Sequence, residues 1–271
     1  MKIQPSAWWR RVFACDMTTL HFLDPNPSGQ PAVLLLHGLG ADASSWTLQI
    51  PALIGAGFRP IAPDTPGFGR SPYPGGGWSI RRVAANMADL LKELQTGPAH
   101  VVGLSMGGTV AQQFALDTPH LTRKLVLVST FAVLLPNELS GWLYFLQRFV
   151  LVNTLGLPAQ AKVVAQHIFP GPGSEQLREM LVETITHADP RAYRKAMASL
   201  GLFNSVKRLG EIKAPTLIVT GADDTTVTPV RQRLLVEGIP GARQVTIPDA
   251  GHAVPVDQAD RFNRALLAFL L

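Results

Sequence analysis

The feature that most constrains this chain is an alternation in which short, almost wholly apolar runs recur between segments of helical spacing. Val33-Leu34-Leu35-Leu36 is a continuous apolar run that stops at His37-Gly38-Leu39-Gly40. A strand buried on both faces reads this way when it ends in a glycine loop. Arg59 to Ala62, stopped by Pro63-Asp64, predicts a second strand, with a short helix between the two from Trp46 to Gly55. Ile80, Val83, Ala84, Met87, Leu90, Leu91 and Leu94 then follow helical spacing behind Ser79, an N-cap residue type. His100-Val101-Val102 predicts the next strand, Ser105 to Leu116 a helix, and Leu125 to Val128 another strand. The pattern resumes with strands over Thr216 to Val219 and Arg243 to Ile247, and with helices from about Pro229 and Val256. Such alternation implies an α/β fold, a mostly parallel central sheet flanked by helices.

The stretch from Phe131 to Arg208 interrupts it with no strand pattern and several helix starts: Asn137 before Glu138, Ser174 before Glu175, and Asp189-Pro190, with Pro158 a further candidate. A helical block dropped between two strands is an insert. The organisation expected is therefore a core of residues 1–130 and 209–271 carrying a helical insert, 131–208. Eight basic and five acidic residues give the insert +3 of the chain's net +5. Basic residues are dispersed in pairs such as Arg10-Arg11, Arg81-Arg82 and Lys207-Arg208, so no nucleic-acid partner is expected. With 271 residues, 46% apolar and 16% charged, the chain can bury a full core and is not a disordered type. Cys15 stands alone, which excludes an internal disulfide and a thiolate zinc site. No apolar secretory segment follows Met1-Lys2, and no run of ~18 apolar residues exists. The expectation is a cytoplasmic protein without stable membrane insertion.

Gly103-Leu104-Ser105-Met106-Gly107 sits between a predicted strand and a predicted helix, the context in which a G-x-S-x-G pattern presents a serine on a sharp turn. A hydroxyl becomes a useful nucleophile only when a base takes its proton. Of seven histidines, His252 has the most suitable setting, in the turn-like Asp249-Ala250-Gly251-His252 between the last strand and the last helix. The base needs a carboxylate to hold its tautomer. Gly221-Ala222-Asp223-Asp224 follows the Leu217-Ile218-Val219 strand, so either aspartate lies at the sheet edge where open α/β proteins build sites.

These motifs resemble the α/β-hydrolase superfamily over nearly the whole chain outside the insert. His37-Gly38-Leu39-Gly40 is similar to the family's HG-x-G oxyanion loop, and Asp64-Thr65-Pro66-Gly67-Phe68-Gly69-Arg70-Ser71 to its D-x-P-G-x-G-x-S loop. The resemblance implies a Ser105, Asp224, His252 triad, because the family's acid stands three residues after the loop glycine, with Asp223 the runner-up. It also implies that the backbone N–H groups of Leu39 and Met106 form the oxyanion hole, and that no cofactor or metal is needed. Ser105 stands where epoxide hydrolases and haloalkane dehalogenases need aspartate, which argues against both. Ala253 follows His252 where carbon–carbon hydrolases often carry Trp, and the insert has no acidic cluster of the kind proline iminopeptidases need. Enol-lactonases and thioesterases share the same motifs.

Phe131 to Leu157 is rich in Leu, Val and aromatic residues, with only Glu138 and Arg148 charged. Trp142, Phe145 and Phe149 share one helical face at intervals of three and four and are the candidate wall of an apolar acyl pocket beneath a cap. The function expected is a serine carboxylesterase acting on a small-molecule ester of short to medium acyl chain. A fold retained as a non-hydrolytic ligand receptor is the alternative from another class.

Overall fold

The structure is a computed structural model and describes residues 8–13, 19–134 and 139–271. Eight strands form one sheet: β1 (Trp9–Phe13), β2 (Thr19–Leu23), β3 (Ala32–Leu36), β4 (Arg59–Pro63), β5 (Ala99–Leu104), β6 (Thr122–Val128), β7 (Thr216–Gly221) and β8 (Arg243–Ile247). Their order is β1-β2-β4-β3-β5-β6-β7-β8. From β4 to β8 every pairing is parallel, and β2 joins β4 and β1 antiparallel. The described α-helices are α1 (Ile50–Gly55), α2 (Ile80–Glu93), α3 (Met106–Asp117), α4 (Leu139–Thr154), α5 (Gly156–Ile168), α6 (Glu175–His187), α7 (Pro190–Leu202), α8 (Pro229–Gly238), α9 (Val254–Asp257) and α10 (Ala259–Leu270). This is the α/β-hydrolase fold.

The strands alternate their side chains between two cores, because successive residues of a strand point to opposite faces. Leu34, Leu36, Val101, Leu125 and Leu127 join the cluster that includes α2 and α3. Val33, Leu35, Val102, Val126 and Val128 join the one that includes α1 and α10. All residues of β3, β4, β5 and β7 are buried, which is why each of these strands has an apolar centre and β3 is apolar throughout. Arg59 at the start of β4 is buried in an ion pair with Asp24. Ser79 caps α2 by accepting from Arg82 N at 3.2 Å, as its residue type foretells.

Four helices, α4 to α7, stand between β6 and β7. Gly156, at φ 77°, takes the left-handed corner between α4 and α5, so α5 starts two residues before Pro158. Asp189 accepts from Arg191 N and Ala192 N and starts α7 at Pro190. The Asn137-Glu138 start lies outside the described residues. A bridge between Val133 and Asn204 ties the two ends of the block together. Its Val152, Leu157, Ile185, Tyr193 and Met197 belong to the same apolar cluster as the sheet, so the block packs as part of one core.

Three features differ from the sequence expectation. The β1–β2 edge pair carries no strand signal, since Trp9-Arg10-Arg11-Val12-Phe13 has two adjacent cations and Thr19–Leu23 has no sustained alternation. β6 begins at Thr122, three residues early, on a polar segment that pairing with β5 recruits. The last helix is broken at Gln258 (φ −135°, ψ 55°) into α9 and α10. Among the described residues, no helix is long and apolar enough to cross a membrane.

Candidate active site

Ser105 joins β5 to α3 at φ 54° and ψ −113°, a conformation that costs a non-glycine residue of order 1–3 kcal/mol unless its surroundings enforce it. Three glycines let the turn close. A Cβ on Gly107 would stand 2.1 Å from Leu36 O, one on Gly103 2.3 Å from Gly107 O, and one on Gly108 2.5 Å from Thr130 Cβ. Hydrogen bonds lock the result: Ser105 N donates to Val128 O at 2.9 Å, and Thr130 Oγ1 donates to Ser105 O at 2.7 Å. Met106 opens α3, so its N–H is one of the first-turn donors that a helix leaves without an internal acceptor.

His252 and Asp224 come from the loops after β8 and β7. Those loops meet at Gly221, where a Cβ would lie 2.1 Å from Gly251 O. His252 Nδ1 donates to Asp224 at 3.0 Å from Oδ2 and 3.2 Å from Oδ1, the only sense available because a carboxylate can only accept. This leaves Nε2 as the lone-pair nitrogen. Asp224 also accepts from Thr226 N and Val227 N, both at 2.9 Å. Burial works to raise the Asp224 carboxyl, but the His252 charge and these hydrogen bonds outweigh it and hold the pKa below the ordinary value. Asp223 is exposed. Asp257, which sequence reasoning missed, accepts from Gly251 N at 2.9 Å and braces the histidine loop, and burial pushes its carboxyl up.

The glycine loop after β3 is held from below. His37 is buried; its Nε2 accepts from Thr65 N at 3.0 Å, so Nδ1 carries the proton and donates to Gly38 O at 2.8 Å. Burial lowers its pKa and keeps the ring neutral, as that pattern requires. Asp64 accepts from Ala43 N at 2.8 Å and Arg70 N at 2.7 Å. Gly38 and Leu39 are thereby set into the wall of the cavity that Ser105 and His252 also line.

That cavity encloses about 180 Å³ between the sheet edge and the helical block. Its apolar wall differs from the one expected. Phe145 and Phe149 do not line it: Phe145 packs beside Gly201 of α7, where a Cβ would stand 3.1 Å from its ring, and Phe149 is on the outer face, 38% exposed. The Trp142 side chain lies outside the described part. The apolar lining comes instead from α5 and α6, through Val164, Ile168, Leu177, Met180 and Leu181. The reason is helical phase. Leu143, Leu146, Phe149 and Val150 of α4 are exposed, while Arg148 of the same helix reaches the cavity and Val152 is buried. A helix apolar on all sides carries no composition signal for which stripe turns inward.

Sequence reasoning also missed a polar cluster behind the cavity. Arg148 donates from Nη2 to the Tyr193 hydroxyl at 3.2 Å, and its guanidinium lies 5.5 Å from the Tyr144 ring centre. Tyr144 stacks on His167 at 4.3 Å. Burial, then Arg148 and His252, lowers the His167 pKa, and burial raises that of Tyr144. The available signal was Arg148 itself, the one charged residue in the sixteen of α4. Among the described residues, no group of three or more His, Cys, Asp or Glu could hold a metal ion.

Comparison with known proteins agrees with this fold. The sequence model of the alpha/beta hydrolase family matches residues 33–265. The protein of Variovorax paradoxus (strain S110) named "Putative carbamate hydrolase RutD" is 34% identical over 257 residues, covering 93% of this chain and 96% of that protein. The 2-hydroxy-6-oxononadienedioate/2-hydroxy-6-oxononatrienedioate hydrolase of Burkholderia vietnamiensis (strain G4 / LMG 22486) is 32% identical, covering 93% of this chain and 90% of that one. Among solved structures, the enol-lactonase from Burkholderia xenovorans LB400 superposes with a TM-score of 0.87 at 28% identity, over 96% of this chain and 99% of that one.

Proposed function

The chain belongs to the alpha/beta hydrolase family, and from that premise we propose that it is a serine hydrolase that cleaves carboxylic esters of short to medium acyl chain through an acyl-enzyme. The observation that carries this reading is the hydrogen-bonded Asp224–His252 pair opening on the same small cavity as Ser105 at its strained turn. Ser105 Oγ adds to the ester carbonyl carbon as His252 Nε2 takes its proton. The carbonyl oxygen becomes an oxyanion that accepts from the N–H groups of Leu39 and Met106, each such donor being worth ~10²–10³ in rate. The alcohol leaves with the proton from His252, and water, deprotonated by the same nitrogen, releases the acid. Asp224 holds the Nδ1–H tautomer and stabilises the imidazolium. In this reading α4 to α7 act as a cap that excludes bulk water.

A lactone offers the same carbonyl, and the likeness to an enol-lactonase supports testing lactones beside esters. Hydrolysis of p-nitrophenyl esters, lactones and acyl thioesters by the wild type and Ser105→Ala tests the reading. The variant, folded by circular dichroism, should fall to near background, since members of such a constellation act as a unit. Turnover above about a tenth of wild type in the folded variant would remove Ser105 from the nucleophile role.

A further inference from the structure

Arg148 is an unusual residue for its place. It sits in an otherwise uncharged, largely apolar helix, lines the cavity, and keeps its guanidinium withdrawn from bulk solvent. A cation withdrawn from water is normally paired with a carboxylate, because desolvating a lone charge is costly. Here every partner is neutral. Nη2 donates to the Tyr193 hydroxyl at 3.2 Å. With the Gln160 side-chain amide oriented to satisfy both of its own atoms, Nε and Nη2 donate to its oxygen at 2.9 and 3.2 Å. Tyr144 offers its ring face at 5.5 Å. Among the described residues no Asp or Glu forms an ion pair with Arg148, and its hydrogen bonds to Tyr193 and Gln160 use only Nε and Nη2.

The other side chains of the cavity do not relieve this charge. Asp42, the one carboxylate in the wall, is committed to capping the turn at Ala43–Trp46 through Ser44 N and Ser44 Oγ. The lining that α5 and α6 supply is mostly aliphatic, from Val164, Ile168 and Leu181 among others. The space is thus a short, largely apolar chamber with Ser105 in its wall, as well as a fixed guanidinium that no carboxylate among the described residues neutralises. Gln160 and Tyr193 occupy Nε and Nη2 and hold the planar group in place, which leaves Nη1 and the guanidinium charge to meet an anion.

We propose that Arg148 is the docking point for a carboxylate of the substrate, so that the site takes esters or lactones bearing an anionic carboxylate a few carbons from the scissile carbonyl. This rests on the hydrolase reading above and narrows its substrate class. The competing role for Arg148 is to stitch α4 to α5 and α7 through Gln160 and Tyr193, with no part in binding.

Matched substrates separate the two roles. Monomethyl glutarate and monomethyl adipate differ from methyl pentanoate and methyl hexanoate only in replacing a terminal methyl by carboxylate. By pH-stat at neutral pH, wild-type kcat/KM should favour each half-ester over its neutral match by about tenfold or more, the order expected of a charge-assisted contact. Arg148→Met should bring that ratio to one or below, mainly through KM, and Arg148→Lys should keep part of it. Titration calorimetry with free adipate should detect binding to the wild type and to Ser105→Ala, and none to Arg148→Met.

Equal loss of half-ester and neutral-ester turnover in Arg148→Met, with no adipate binding to the wild type, overturns the proposal in favour of the stitching role. The proposal falls equally if the wild type turns over neutral esters but disfavours half-esters and ignores adipate, while the hydrolase reading survives. If Arg148→Met does not fold, the wild-type ratio, adipate binding and Arg148→Lys still decide. Adipate binding without hydrolysis of any ester, and without labelling of Ser105 by a fluorophosphonate, would retain the anion site and reject the esterase reading.

Discussion

At the scale of single residues, the site depends on small differences in position between chemically identical groups. Asp223 and Asp224 are neighbours, yet Asp224 is buried against His252 Nδ1 and two backbone amides while Asp223 faces solvent. Asp224→Asn should therefore cost about 10⁴ in kcat, because an amide in that place stabilises the wrong histidine tautomer. Asp223→Asn should leave kcat within a few-fold. Steady-state kinetics of the two variants checks this, and the reverse ranking would reassign the acid. Asp224 also bears on the acid limb. Its folded pKa lies below the unfolded value, so the stability it contributes is present above the unfolded pKa of 3.8 and is lost as pH falls through the folded one.

At the scale of elements, substrate length is a question of which helix forms the far wall. Leu177, Met180, Leu181 and Thr184 repeat at helical spacing along α6 and all reach the cavity. Each acyl methylene buried there is worth at most ~0.8 kcal/mol, about fourfold in kcat/KM, until the chamber is full. With neutral p-nitrophenyl esters the optimum should fall at about C4 to C8, the range in which that gain ends. Leu181→Ala should move it one or two methylenes longer. Phe149→Ala, on the outer face of α4, should not move it. An optimum that shifts with Phe149 and ignores Leu181 would return the acyl wall to α4.

At the scale of the whole molecule, Asp64 ties the loop after β4 to Ala43 and to Arg70, and its state bears on global stability. Burial, helped by the nearby Asp42 charge, raises its pKa from 3.8 to about 7 against the pull of the two amides. Between those values the unfolded chain has released a proton that the folded chain keeps. The group therefore stabilises the fold less as pH rises from about 4 to about 7, by at most about tenfold per pH unit in the folding constant. His100 has the opposite sign. Burial, with Arg123 and Lys124, lowers it from 6.5 to about 4, so its contribution is lost as pH falls through that window. The wild-type profile should be shallow, since the two offset each other. The urea midpoint of Asp64→Asn relative to wild type should climb with pH between about 4 and 7. A constant difference would mean that Asp64 is ionised in the folded protein across the whole range.

What the sequence determined by itself was whatever local chemistry enforces. Strands buried on both faces are mostly apolar, so β3, β5 and β7 were legible from their Val, Leu and Ile centres, and β4 from Ile61-Ala62 before Pro63. A serine at the apex of a strand-to-helix turn needs glycines on both sides, so Ser105 stood out before any coordinates. Between the adjacent aspartates the local residues left the choice open and only the family resemblance implied Asp224, which the fold turns inward against His252. Tertiary structure alone decided two matters. It decided which stripe of α4 faces the cavity, because an apolar helix has no intrinsic phase and only its contacts with α5 and α7 choose one. Through that choice it set a lone arginine in the wall of an aliphatic chamber, where the sequence read Arg148 only as one of two charged residues in an apolar stretch.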